Sequence, residues 1–293
     1  MSTRHPVLLP FCLFATWVIW GSTYLGIKFA LHDFPPYILS GTRYLLAGSL
    51  LLAFVRWRGE VWPSRRQVAN AALIGLLMLT LGNGLTCVAV QSLPSGATAL
   101  IVAVTPLLTV LLGLGLGNKV QPLEWGGIAL GLAGIVLMNR DASLAGHPAG
   151  VLLVLGACVA WATASVLIPR LDLPSGAMSS AVQMLAGGMV SLPAALLMGE
   201  RMHVWPSPSA LMALLYLVLF GSIVAYSAFV WLLRHVRPAL ATSSSYVNPV
   251  VALALGWLVL AEPLSPPLLA AAAVILAGVA LIGWASARRQ QAD

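Results

Sequence analysis

Leu132–Met138 reads LAGIVLM, and Leu276–Ile282 reads LAGVALI, 144 residues further on. Working outward from this pair, other matches keep nearly the same spacing. Val104-Thr105-Pro106 lies over Val247-Asn248-Pro249 at an offset of 143, Trp20 over Trp161 at 141, and Arg43–Gly48 over Gln183–Gly188 at 140. Ordered matches among Leu, Ala and Gly arise easily by chance, but the Trp and Pro pairs are harder to dismiss. A drift of four residues across half a chain is what two diverged copies of one unit leave behind.

Composition says what the unit is made of. Of 293 residues, 60% are hydrophobic and 8% charged, and the mean hydropathy is +0.95. A soluble domain carries roughly 25% charged residues, so a water-soluble surface is excluded; disorder is excluded because the chain is far too apolar. A membrane-crossing helix takes about 20 apolar residues. Apolar windows between charged, Pro and Gly punctuation predict ten, at roughly 8–31, 36–55, 68–91, 95–117, 123–139, 148–169, 176–198, 209–233, 238–260 and 266–285. The first is expected to be a retained helix, since no small-residue cleavage site follows it. Each copy then holds five spans, over 8–139 and 148–285, followed by a cytoplasmic tail at 286–293. Five is odd, so the second copy crosses in the opposite sense to the first. The expected fold class is all-α integral membrane, ten transmembrane helices as two inverted five-helix repeats, an architecture whose substrate site lies at the repeat interface.

The charge of +7 is read as topology. The basic residues form no extended patch, so nucleic acid is not expected as a partner. With the N-terminus in the cytoplasm, 11 of the 15 Lys and Arg face inward, from Arg4 through Arg56, Lys119 and Arg237 to Arg289. Only Lys28, Arg140 and Arg201 face outward, and Arg43 lies within the second span. Both termini are therefore expected on the cytoplasmic side. Trp57, Trp62, Trp125, Trp205 and Trp284 fall at span ends, as interfacial anchors do. Cys12, Cys87 and Cys158 sit in apolar stretches without a CxxC or a disulfide framework.

With Trp20-Gly21-Ser22 in the first span, Arg43 in the second, proline-centred fourth and ninth spans, and Glu262-Pro263-Leu264 followed by LAGVALI, the chain resembles the EamA-type members of the drug/metabolite transporter superfamily. The resemblance covers about residues 8–285 and is nearest to that family's amino acid exporters, including those for aromatic amino acids. It implies export of small metabolites, most of all aromatic and other neutral amino acids, across a bacterial inner membrane. The chain departs from the family at Lys119, where an acidic residue usually follows the fourth span.

A site is expected where Pro106 and Pro249 interrupt corresponding spans. Proline removes one helix bond and clashes with the carbonyl four residues back, here Val102 and Ser245. Backbone groups freed in a membrane need protein or cavity water. Thr105 and Asn248 precede the prolines, and the ninth span carries a polar run of Thr242, Ser243, Ser244, Ser245 and Tyr246. The third and eighth spans add Asn83, Thr86, Ser222, Tyr226 and Ser227. Trp17, Trp20 and Tyr24 recur at i, i+3 and i+7 on one helix face, and Trp161 takes the equivalent place in the sixth span. An indole offers a flat face to an apolar side chain and an N–H to a carboxylate; core packing is the other reading. Arg43, about 10 Å into its span, either neutralises a substrate carboxylate or bonds backbone carbonyls and snorkels outward. Gly127, Gly131 and Gly134 mark a close helix contact, within a monomer or in a dimer.

None of the eight acidic residues and none of the five histidines lies deep in a span. Proton and sodium coupling usually use such residues, so a facilitator is expected, with no metal, no cofactor and no catalytic residue. The chain has no HExxH, GxSxG or Walker motif. The partners expected are a small-molecule substrate and membrane lipid, with a monomer as the working unit. A cation channel or multidrug antiporter lacks the acid it would need, and a membrane assembly protein without transport leaves the symmetric polar midplane unexplained.

Overall fold

A computed structural model describes residues 7–117, 120–138, 146–235 and 243–292. Arg4, Lys119, Arg140, Arg237 and Thr242 lie outside them. The described residues form ten apolar helices: α1 Leu8–Ala30, α2 Pro36–Trp57, α3 Arg65–Val90, α4 Ser95–Gly115, α5 Pro122–Met138, α6 Pro148–Arg170, α7 Gly176–Leu197, α8 at 208–235, α9 Ser244–Leu260 and α10 Pro266–Ala292. Eight are long and apolar enough to cross a membrane; α5 and the described part of α9 are shorter, at 17 residues each. Starts follow local chemistry. Pro opens α2, α5, α6, α8 and α10, where its missing N–H costs nothing. The predicted start of α3 at 68 moves to Arg65, because Ser64 and Gln67 form a capping box.

The two copies are plainest in α2 and α7, each 22 residues long. Both end in a glycine of left-handed backbone, Gly59 at φ 79° and Gly199 at φ 76°. In each case the following Glu N–H bonds five residues back, Glu60 to Val55 and Glu200 to Ala195. The most extensive contacts in the molecule join equivalent helices, α2 with α7 and α5 with α10. A Cβ on Gly127 of α5 would stand 2.6 Å from the Gly278 carbonyl oxygen of α10. The glycine face of α5 is thus used inside the monomer.

Packing does not follow the repeats. The largest core gathers α4, α5, α6 and α10 with Ala89 of α3 and Leu253 of α9, the second gathers α1, α2, α3, α7 and α8 with Ala164 of α6, and two smaller clusters flank them. Each core therefore draws on both copies.

The periodicity is broken in three places by π-helical turns: Ala15–Ile19 in α1, Leu76–Asn83 in α3 and Leu217–Val224 in α8. The last two are equivalent, eight residues each at an offset of 141. Such turns widen the helix and free carbonyls for other donors, and they occur often at functional sites. The Asn248 amide answers one of them. With its nitrogen turned toward α1, it donates to the carbonyls of Thr16 at 2.8 Å and Trp17 at 3.0 Å, and to Ser244 at 3.2 Å; the reverse orientation would set oxygen against oxygen.

Candidate functional site

Between the two cores lies a cavity of about 390 Å³. Of the residues singled out by sequence, Trp20, Tyr24, Arg43, Asn83, Thr86, Thr105, Pro106, Trp161, Tyr226, Ser244, Tyr246, Asn248 and Pro249 line it. The two prolines act differently. Helix α4 is interrupted at Ala103 and Val104 and restarts at Thr105 with Pro106 in its first turn, whereas Pro249 sits within an unbroken stretch of α9.

Trp17 and Ser227 do not join the lining. The π-turn at Ala15–Ile19 puts Trp17 out of phase with Trp20 and Tyr24, so the expected single face does not form. Trp17 instead donates from Nε1 to Ser243 Oγ at 2.8 Å, tying α1 to the start of α9. Ser227 immediately follows Tyr226, about 100° round the helix from it, and its buried Oγ has no partner among the described residues.

Sequence reasoning passed over Tyr44, Thr109, Ser165 and Phe229, all of which line the cavity. Tyr44 adjoins Arg43, and the others stand one helical turn from Thr105, Trp161 and Tyr226. That spacing was a usable signal.

The wall is aromatic. Trp20 meets Trp161 and Tyr226 edge-on with ring centroids 6.3 Å apart in each case, and Phe229 at 5.1 Å. Trp20 Nε1 donates to the Gly221 carbonyl at 3.1 Å, which anchors α1 on the π-turn of α8. The neighbouring motif residues hold the same helix: Ser22 pairs with the Tyr216 hydroxyl at 2.5 Å, and a Cβ on Gly21 would lie 2.8 Å from Val251.

Arg43 is the single charged residue in this lining and only 3% exposed. Its Nε donates to Ser222 Oγ at 2.8 Å, and its guanidinium carbon lies 5.0 Å from the Tyr44 ring centre. Nη1 is buried without a partner, and no carboxylate lies within ion-pair distance of Arg43 among the described residues. It stays buried instead of snorkelling outward, and among the described residues it bonds no backbone carbonyl. An unpaired buried cation costs several kcal/mol, and an anion reaching the guanidinium from the cavity would offset that cost. Gln183, its equivalent in α7, is neutral and already occupied: it donates to Ser179 at 3.0 Å and accepts from the Tyr226 hydroxyl.

At the end away from Leu8, carboxylates bind the first turns of helices from the other copy. Glu200 accepts from the Tyr37 and Ile38 N–H groups at 2.9 and 3.0 Å. Glu262 accepts from the N–H and hydroxyl of Ser95 at 2.8 and 2.9 Å. Asp33 holds the N–H of Ser207 at 2.8 Å together with its hydroxyl. Each satisfies donors that a helix N-terminus leaves open, with the dipole in its favour. Lys28, expected to face outward, lies at the same end and donates to the Val90 and Leu93 carbonyls at 2.8 and 3.2 Å. The Asp33 carboxyl is held down to about 2, first by the Ser207 hydroxyl and then by His32. At the Leu8 end, Glu124 caps its own helix through the Gln121 N–H, and Asp172 accepts from the Gln67 amide through its carboxylate and from the Asn70 amide through its backbone carbonyl.

The description "EamA-like transporter family" matches the chain twice, over residues 9–140 and 148–284. An uncharacterized inner membrane transporter of Escherichia coli (strain K12), YedA, is 47% identical over 282 residues, covering 95% of this chain and 92% of that one. A protein of Salmonella typhimurium described as a "probable amino-acid metabolite efflux pump" is 28% identical, covering 89% and 90%. A protein crystal structure with 22% identity superposes at a TM-score of 0.67 over 96% of this chain and 98% of the other, a likeness of fold alone. Two inverted five-helix copies enclosing one cavity, matched over nearly their whole length by that family and by its named transporters, make this chain a member of the EamA-like transporter family.

Proposed function

We propose that this transporter exports amino acids, the aromatic and other neutral ones above all, by alternating access through the central cavity. The observation that carries the reading is Arg43, a buried cation in the lining of an aromatic-walled cavity, whose Nη1 has no hydrogen-bond partner among the described residues. A carboxylate satisfies that charge, and a flat or branched apolar side chain fits against Trp20, Trp161 and Phe229. The efflux described for the Salmonella relative supports the direction. The distribution of basic residues supports cytoplasmic termini, and the relative's name supports the inner membrane. In this reading the site residues are those lining the cavity, and the protein works as a monomeric facilitator.

The test is counterflow of radiolabelled phenylalanine, leucine, lysine and glutamate into proteoliposomes preloaded with the unlabelled amino acid. Exchange of phenylalanine and leucine well above empty liposomes is expected, with lysine weakest. No exchange of any amino acid would refute the reading. Reporter fusions at both ends check orientation, and a periplasmic signal from either would contradict it.

A further inference from the structure

The cavity carries a second polar feature, set by where its hydroxyl protons go. Thr105 Oγ1 donates to the Val102 carbonyl at 2.6 Å, and Thr109 Oγ1 donates to the Thr105 carbonyl at 2.9 Å. Carbonyl oxygens only accept, so these bonds consume the one proton each hydroxyl owns. Thr86 and Ser165 are committed in the same way, to Gly82 at 2.7 Å and Trp161 at 2.9 Å. Hydroxyls committed in this way keep lone pairs and have no further donor, and all four residues line the cavity, Thr105 beside the Cys158 thiol. Arg43 has the opposite character, since a guanidinium has only donors.

Thr105 and Thr109 stand one turn apart on the restarted half of α4, both in the lining. The interruption at Ala103 and Val104 sets a helix C-terminus beside a helix N-terminus, so the two end dipoles largely offset. The hydroxyl oxygens are left to define the local polarity. The lining therefore has a donor pole at Arg43 and an acceptor pole along α4.

We propose that Thr105 and Thr109 are specificity-determining residues that read a proton-donating group on the substrate, the ammonium of an amino acid or a hydroxyl in its place, in addition to the carboxylate read by Arg43. The transporter then accepts 2-amino and 2-hydroxy acids and rejects the 2-oxo acids of the same shape, whose oxygen would face oxygen. The proposal rests on the reading that a carboxylate occupies the Arg43 pole.

The experiment compares three labelled compounds with one side chain, phenylalanine, 3-phenyllactate and phenylpyruvate, in counterflow with the full-length protein. Phenyllactate is expected to exchange roughly tenfold faster than phenylpyruvate, the discrimination one lost hydrogen bond supplies. Thr105→Val and Thr109→Val should each move that ratio toward 1, and Thr105→Ser should restore it. A ratio near 1 in the native protein overturns the proposal, as does exchange of neither acid. So does a ratio that survives both valine variants, which would leave the threonines as packing residues. If the ratio holds while phenylalanine itself does not exchange, the amino acid reading falls and the acceptor pole stands.

Discussion

Glu60 and Glu200 hold the same position in the two copies, each after a left-handed glycine that ends a 22-residue helix. Their backbones match and their side chains do not. Glu200 clasps the first turn of α2, while Glu60 makes no side-chain hydrogen bond among the described residues. Glu262 clasps α4, and the residue 143 positions earlier is Lys119. Arg43 carries a charge where its counterpart Gln183 carries none. The repeat is thus kept as a backbone plan, and divergence has given one copy the cavity's charge and one end of the bundle its carboxylate clasps. The proposed alternating access needs the two ends to differ at any moment, and the carboxylate clasps are one such difference.

The sharpest way to break the comparison is to exchange charge for neutrality in each copy. Arg43→Gln is expected to slow phenylalanine exchange by roughly ten- to a hundredfold, the range for a charged hydrogen bond. Gln183→Met should leave it within about threefold at equal protein in the membrane. Equal losses would mean the asymmetry is not functional.

A smaller effect is expected at the clasped end. Glu262→Gln weakens a charge-assisted cap by about 1 kcal/mol, enough to raise the open fraction about fivefold. With Cys12, Cys87 and Cys158 replaced by alanine, an Ile27→Cys probe should then react faster with an impermeant maleimide. Glu60→Gln should leave the rate as it was, and a matching rise there would erase the difference between the ends.

A pH jump or sodium gradient across proteoliposomes with equal substrate on both sides should give no net accumulation. No carboxylate or histidine lines the cavity among the described residues. Uphill movement driven by protons would bring Glu262 or Glu124 into the transport cycle.

The smallest effect concerns Asp33, whose carboxyl is held at about 2 against an ordinary 3.8. A depressed carboxylate contributes fully above the unfolded value and loses its contribution as pH falls through the folded one. The protection factor of the Ser207 amide, its exchange rate relative to the intrinsic rate at each pH, should therefore hold steady from pH 7 to about 4 and fall only toward 2. In Asp33→Asn the protection factor should be low and independent of pH over the same range.

Much of the fold was legible because a bilayer demands long apolar segments and punctuates them with charge, Pro and Gly. Nine of the ten helices fall within a few residues of the predicted spans wherever both are described, while α10 runs on to Ala292, seven residues past its predicted end at 285 and through most of the expected tail. Residues such as Trp20, Trp161 and Arg43 stood out as polar or oversized at mid-span. What could not be read is geometric. A π-turn has no residue signature, so Trp17 was expected on a face it does not share. The clasps of Glu200 and Glu262 join residues more than 160 positions apart, so nothing local announces them. Asn248 was read as polar lining, and its amide turns out to serve the carbonyls that the α1 π-turn releases.

In the proposed function Arg43 receives the substrate's carboxylate. Binding of phenylalanine and phenylalaninamide to the purified native protein and to Arg43→Gln tests it most directly, because only the carboxylate differs between ligands and only its receptor between proteins. The native protein should prefer phenylalanine by roughly tenfold or more, and Arg43→Gln should bind the two within about twofold. A carboxylate preference that persists in Arg43→Gln, or that is missing from the native protein, would contradict the account.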